Sequence, residues 1–172
     1  MDQSSIRILS EADINAFWKL RLRALREEPE CFGSAYEEAV QTPSAEIASR
    51  IHSSADAFVL GAFTPDLTGM AGFFRRKGQK NRHKGEIWGM YVSPENRGNG
   101  VGRALILELI SRASAMAGLE QIVLAVVTTN EAARWLYLSL GFKWYAVERE
   151  ALKIESGYLD EDLMALKLDN NS

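Results

Sequence analysis

Residues 97–102 read Arg97-Gly98-Asn99-Gly100-Val101-Gly102 and join an apolar, strand-like run at 87–92 to a helix-like run at 104–117. A strand, a glycine turn and a helix in that order place several unpaired backbone N–H groups at the positive end of a helix dipole. Such a junction suits a phosphate or pyrophosphate, because glycine lets the backbone approach the ligand and take φ > 0 where a side chain would clash. An ordinary glycine turn without a ligand is the alternative, and the flanking sequence decides between the two.

Reading outward from the turn, residues 6–9 predict a short first strand, and Ser10 with Asp13 signals a helix over 11–28, ending before Pro29. Ile14, Phe17, Trp18, Leu22 and Leu25 repeat at helical spacing along it. Thr42-Pro43 opens a second helix to about His52. Strands are expected at 57–63 and 69–76, joined by a turn with Pro65, Asp66 and Gly69, and again at 85–92. Gly89 inside the last of these points to a bulge or a close backbone approach. The helix after the turn places Val101, Leu105, Leu109 and Ala113 on one face. Residues 121–127 are almost wholly apolar, as in a strand covered on both faces. Asn130 caps a helix ended by Gly141, and strands at 143–150 and 161–168 close the chain. The order predicts one α/β domain over residues 1–172, with a mixed sheet.

Composition narrows the class. A chain of 172 residues with 47% hydrophobic and 25% charged side chains is ordinary for a folded domain with a full core. One cysteine, Cys31, and two histidines, His52 and His83, leave neither a disulfide nor a His/Cys metal site to expect. The single thiol fits a reducing cytoplasm. No apolar run is long enough to cross a bilayer, and Met1–Ser5 lacks a basic segment followed by an apolar one, so neither a membrane span nor a signal peptide is expected. A net charge of −3 gives no general reason to expect nucleic-acid binding.

Spacing tests the turn against its rivals. No Gly-Lys-Ser/Thr tripeptide occurs, which removes a P-loop. Counting Gly-x-Gly-x-x-Gly from Gly98 and Gly100 puts Arg103 where the third glycine belongs, which removes a dinucleotide fold. What remains is Arg/Gln-x-x-Gly-x-Gly/Ala, met by Arg97, Gly100 and Gly102.

At this point the chain closely resembles the GNAT superfamily of acyl-CoA N-acyltransferases. Met90-Tyr91-Val92 stands where that family's fourth strand holds the pantetheine arm, and Asn130 to Tyr137, followed by Leu140-Gly141-Phe142, resembles its second cofactor motif. The resemblance covers nearly the whole chain. It implies a sheet of about seven strands, mostly antiparallel, with four helices and a splayed fourth and fifth strand. It implies acetyl-CoA as acyl donor, no metal, and a pyrophosphate grip by Arg97, Gly98, Asn99, Gly100, Val101, Gly102 and Arg103. Met90, Tyr91, Val92 and Asn130 would complete the cofactor contacts. Transfer to an amine would be direct, in a ternary complex.

Tyr137 lies on the same helix face as Asn130 and Ala133, and the family uses a tyrosine there as general acid. A phenol of pKa about 10 is protonated at neutral pH and able to donate to a departing sulfur. Glu86 begins the strand that ends at Val92, and some family members carry a catalytic glutamate at the matching position. It is the candidate base, acting directly or through water. Family members acting on a ribosomal protein's N-terminus often carry a glutamate and an arginine where this chain has Ala125 and Val127, so a small-molecule amine is the expected acceptor. A protein amine, or an acyl-CoA sensor without turnover, is the alternative. The resemblance also admits a homodimer.

Three other features have plainer readings. The basic run from Arg75 to Lys84 reads as a solvated strand connector that could hold an acidic partner. The acidic stretch 155–162 reads as a polar loop that could receive a cationic amine. The four tryptophans read as mostly core, with Trp88 and Trp135 flanking the motifs.

Overall fold

The computed structural model describes residues 5–169; Met1–Ser4, read above for a leader segment, lie outside the described residues. Seven strands form one sheet in the order β1-β2-β3-β4-β5-β7-β6. They are β1 (Ser5–Ile8), β2 (Ala57–Thr64), β3 (Asp66–Arg75), β4 (Lys84–Val92), β5 (Gln121–Val127), β6 (Lys143–Ile154) and β7 (Gly157–Lys167). Five α-helices accompany them: α1 (Ile14–Glu27), α2 (Tyr36–Ala39), α3 (Ser44–Ile51), α4 (Val101–Ser114) and α5 (Glu131–Ser139). Neighbouring strands run antiparallel except β4 and β5, which are parallel.

Each face of the sheet has its own core. On one face, Val101, Leu105, Leu109 and Ala113 of α4 pack with Leu60, Phe73, Ile122 and Leu124, and Leu105, Leu109 and Ala113 are fully buried. The helical spacing read from sequence is thus the buried stripe of α4. On the other face Phe17, Leu20 and Ala24 of α1 and Ile47 and Ile51 of α3 cover Val59, Met70 and Tyr91.

The elements depart from the sequence reading in identifiable places. The expected helix over 11–28 opens as a 3-10 turn, Glu11–Asp13. The Asp13 carboxylate accepts from the Ser10 backbone N–H and pairs with Arg7, which pulls its pKa well below the usual carboxylate range. The one-turn α2 carries too few residues for a period to show. Pro43 precedes α3 as its cap residue. Gly69 lies inside β3, paired with Val92, and Pro65 alone turns the chain between β2 and β3.

The largest correction concerns the C-terminus. Residues 155–162 are no polar loop: β6 and β7 form a long hairpin turned at Glu155 and Ser156, and Tyr158 to Asp162 belong to β7. This hairpin is open to solvent along much of β6, so the alternation that marks a half-buried strand fades there. The tryptophans were also misplaced. Trp135 and Trp144 are exposed, and Trp18 and Trp88 are half-buried.

Leu109→Ala removes a fully buried side chain from the α4 core and is expected to cost about 2–5 kcal/mol, while Leu107→Ala on the exposed face should stay within about 0.5 kcal/mol. Denaturant midpoints at unchanged slope measure both; equal effects would contradict this packing.

Candidate functional site

β4 and β5 pair only from Lys84 to Glu86 against Gln121 to Val123. Beyond Glu86 the two strands part. The cause lies in β4: Gly89 takes φ +62, and the register against β3 shifts so that Trp88 faces Gly72 while Tyr91 faces Met70. This is the bulge expected at Gly89. A side chain in that conformation is disfavoured, and the extra residue bends the strand. The β5-facing edge of Ile87 to Val92 is therefore left without a strand partner, and a cleft of about 910 Å³ opens along it.

The glycine turn forms one end of this cleft. Gly98 and Gly100 have φ +78 and +79, and Gly100 stands at the N-cap of α4 with no side chain capping the helix. The first backbone hydrogen bond there runs from Ala104 N–H to the Gly100 carbonyl. The amides of Val101, Gly102 and Arg103 precede it and make no hydrogen bond with the described protein, as expected for the first turn of a helix. Gly102 serves packing: a Cβ there would stand 3.2 Å from Met90 Cε.

The turn's two arginines behave differently. Arg97 Nε donates to the Val92 carbonyl at 2.8 Å, and its Nη2 pairs with Glu28 at 2.6 Å. Its guanidinium also lies over the Tyr91 ring. Arg97 therefore ties the turn to the end of β4 and to the end of α1. Arg103 donates to Ser139 Oγ and has no carboxylate partner among the described residues.

Opposite the turn, α5 supplies the second wall. Asn130 Oδ1 accepts from the Ala133 N–H and caps the helix, and its Nδ2 contacts Cys31 Sγ at 3.6 Å. Arg134 pairs with the buried Asp162 of β7, which fixes α5 to the sheet. Tyr137 is buried, packs edge-on against Phe142, and lines the cleft together with Asn130 and Ala133. Burial pushes its hydroxyl well above the ordinary tyrosine value.

Of the residues singled out from sequence, Met90, Tyr91, Val92, Arg97, Gly98, Gly100, Val101, Gly102, Arg103, Asn130 and Tyr137 all border this one cleft. Asn99 lies within the same turn. Glu86 does not border it. It sits at the closed end of the wedge, in the last paired position with Val123, and its carboxylate pairs with Arg76. By strand alternation it shares a face with Trp88.

Sequence reasoning missed the residues that α1 and the following turn bring in. Glu27, Glu28 and Cys31 border the cleft. The Tyr91 hydroxyl donates to Glu27, and burial, then the Glu27 charge, push its pKa up to about 12. Only the ending of a helix at Pro29 marked this segment, and no spacing shows that its end folds over β4. The arginines of the basic run are spoken for: Arg75 and Arg82 pair with Asp56, and Arg76 with Glu86. Among the described residues no group of three His, Cys, Asp or Glu could hold a metal ion. No described helix is long and apolar enough to cross a membrane.

The model of the acetyltransferase (GNAT) family matches residues 20–142. Among solved structures, a GNAT-family acetyltransferase from Streptococcus pneumoniae superposes with a TM-score of 0.86 at 25% identity, covering 96% of this chain and 100% of that one. A putative acetyltransferase from Salmonella typhimurium, solved with its cofactor acetyl-CoA, gives 0.81 at 25% identity over 99% and 97%. A mycothiol acetyltransferase from Thermobispora bispora is 44% identical over 64 residues, which are 37% of this chain and 21% of that protein. The match thus spans about a fifth of that curated relative's length. With the family model covering the turn, the parted strands and α5 alike, the chain belongs to the GNAT acetyltransferase family.

Proposed function

We propose that this protein transfers the acetyl group of acetyl-CoA to an amine, by direct attack within a ternary complex. The observation that carries the reading is the cleft where β4 and β5 part, with the open amides of α4 at one end and Tyr137 on its wall. The residues fit the donor. The α4 amides and the unpaired Arg103 complement a pyrophosphate, while Gly98 and Gly100 present no side chain that would stand in its way. The free edge of Met90 to Val92 offers backbone groups to the amides of the pantetheine arm, much as an added strand would. The Salmonella neighbour's acetyl-CoA and the acetyl transfer in the mycothiol enzyme's name support the same donor.

The chemistry of the walls supports direct attack. Cys31 is the one thiol on the cleft, and burial raises its pKa, so at neutral pH it stays a poor nucleophile. An attacking amine must be a free base, whereas a lysine-like ammonium titrates near about 10.4. The site therefore has to accept its proton. Glu86, on the acceptor face at the closed end of the wedge, takes this role through water, since its carboxylate does not itself reach the cleft wall. A backbone N–H on the free edge near Tyr91 steadies the oxyanion. Tyr137, held protonated by burial, donates to the departing thiolate. The acceptor is a small amine, in keeping with Ala125 and Val127 at positions where peptide-directed relatives carry charge.

Release of coenzyme A thiol from acetyl-CoA, followed across a panel of amines, tests the reading; tight acetyl-CoA binding with no release for any amine would instead indicate a sensor. Tyr137→Phe is expected to lower kcat about 100-fold or more with the acetyl-CoA KM little changed, and unaltered turnover at saturation would remove the acid role. Glu86→Gln should lower kcat/KM and alter the pH–rate profile. An identical pH profile would transfer the base role elsewhere.

A further inference from the structure

Arg21 of α1 is charged, buried and poorly partnered. Only 5% of it is exposed, and neither Nε nor Nη1 has a hydrogen-bond partner. Its one contact of this kind is a long 3.4 Å donation from Nη2 to Ser34 Oγ. No carboxylate among the described residues pairs with it. The charge that acts on it is a second cation, Arg50, whose own partner is Glu46. Burial and Arg50 together bring the Arg21 pKa down to about 10, so it remains a cation at neutral pH. A protein that needed only packing here would gain by an apolar side chain, because a buried guanidinium demands acceptors for its donors.

The surroundings hold that side chain ready for a ligand. Its guanidinium carbon lies 4.9 Å from the centroid of the Phe32 ring, which supports the group while leaving its N–H edge free. Nη1 stands 3.6 Å from where a Cβ would project from Gly89. Arg21 therefore meets β4 at its bulge, one residue from Met90 on the wall of the cleft. A second cavity of about 310 Å³ adjoins the same arginine, lined by Trp18, Leu25, Ser34 and Arg50 and by two acidic residues, Glu38 and Glu46, the latter paired with Arg50. Arg21 thus lies between the Gly89 bulge, which borders the donor cleft, and a chamber lined from α1, α2 and α3.

We propose that Arg21 anchors a carboxylate of the acceptor, and that the acceptor is an amino-acid-like small molecule whose amine lies a few bonds from that carboxylate. The inference rests on the acetyl-transfer reading of the cleft and names the class of amine it serves. Two carboxylate oxygens match the fork of the guanidinium, supply the missing acceptors and replace the long Ser34 contact. With the carboxylate so held on the α1 side of the Gly89 bulge, an amine one or two atoms away faces the cleft edge at Met90 and Tyr91. The acceptor's side chain then fills the chamber lined by Trp18 and Leu25. A peptide N-terminus has an amide in place of that carboxylate and would leave Arg21 unpaired.

The test separates this inference from the reading beneath it by using equilibrium binding as well as turnover. Titration calorimetry on the coenzyme A-loaded protein compares N-acetyl amino acids of varied side chain with their C-terminal amides and with the matching decarboxylated N-acetyl amines. The carboxylates are expected to bind about 10- to 100-fold more tightly than either analogue in the wild-type protein. Arg21→Met should erase that preference with acetyl-CoA affinity unchanged, and Arg21→Lys should restore part of it. Thiol release should follow the same order, in acceptor KM more than in kcat. Equal binding of acids and amides by the wild-type protein, binding of none of these ligands, or an unchanged preference in Arg21→Met would overturn the inference. Acetyl transfer to amines lacking a carboxylate, at equal kcat/KM, would overturn it while leaving the acetyltransferase reading intact.

Discussion

The rest of the site depends on a hydrogen-bond ladder that stops. β4 and β5 pair over three residues each and then diverge, although both strands continue for several residues more. A buried backbone edge is costly unless its N–H and C=O groups find partners. The bulge at Gly89 turns β4 away from β5 and leaves that edge facing a cleft. Everything else about the site is arranged around this gap. The α4 turn closes one end, α5 forms a wall, and the end of α1 lies across the mouth.

Charge is distributed with the same economy. Of the two arginines at the turn, Arg97 is engaged by Val92 and Glu28 and acts as a structural tie, whereas Arg103 is left open to a ligand. A motif that reads as a cationic grip is thus divided between one side chain that shapes the turn and one that is available to a phosphate. The contrast extends across the site. Asp13, Asp56 and Asp162 all have arginine partners, but Arg21, more buried than those partners, has no acidic one among the described residues. An unpaired cation beside the bulge is the observation on which the proposed carboxylate preference of the acceptor rests.

The glycine turn and the α5 wall of the cleft were legible in the sequence because they are written in local geometry. Glycines at 98 and 100 are needed where φ is positive, Asn130 caps a helix, and Val101, Leu105, Leu109 and Ala113 mark its neighbour's buried stripe. Each signal lies within a few residues of the feature it creates. The α1 side of the cleft is built from contacts between distant segments. Arg21 meets Gly89, and Tyr91 meets Glu27, through packing that no spacing reveals. Glu86 shows the limit from the other direction. Its position along the strand was read correctly, yet its pairing with Arg76 and its distance from the cleft wall depend on where the strands part. The β6–β7 hairpin was shortened in the sequence reading because its outer half is solvated, so polar residues there resembled a loop.

Amide hydrogen exchange with and without acetyl-CoA tests the central claim most directly, because it reads the backbone groups held to be open. The account predicts that the donor slows exchange selectively at Met90 to Val92 on the free edge of β4 and at Val101 to Arg103 in the first turn of α4, with β6 and β7 unaffected. Donor binding that protects other segments and leaves these amides unchanged would contradict it.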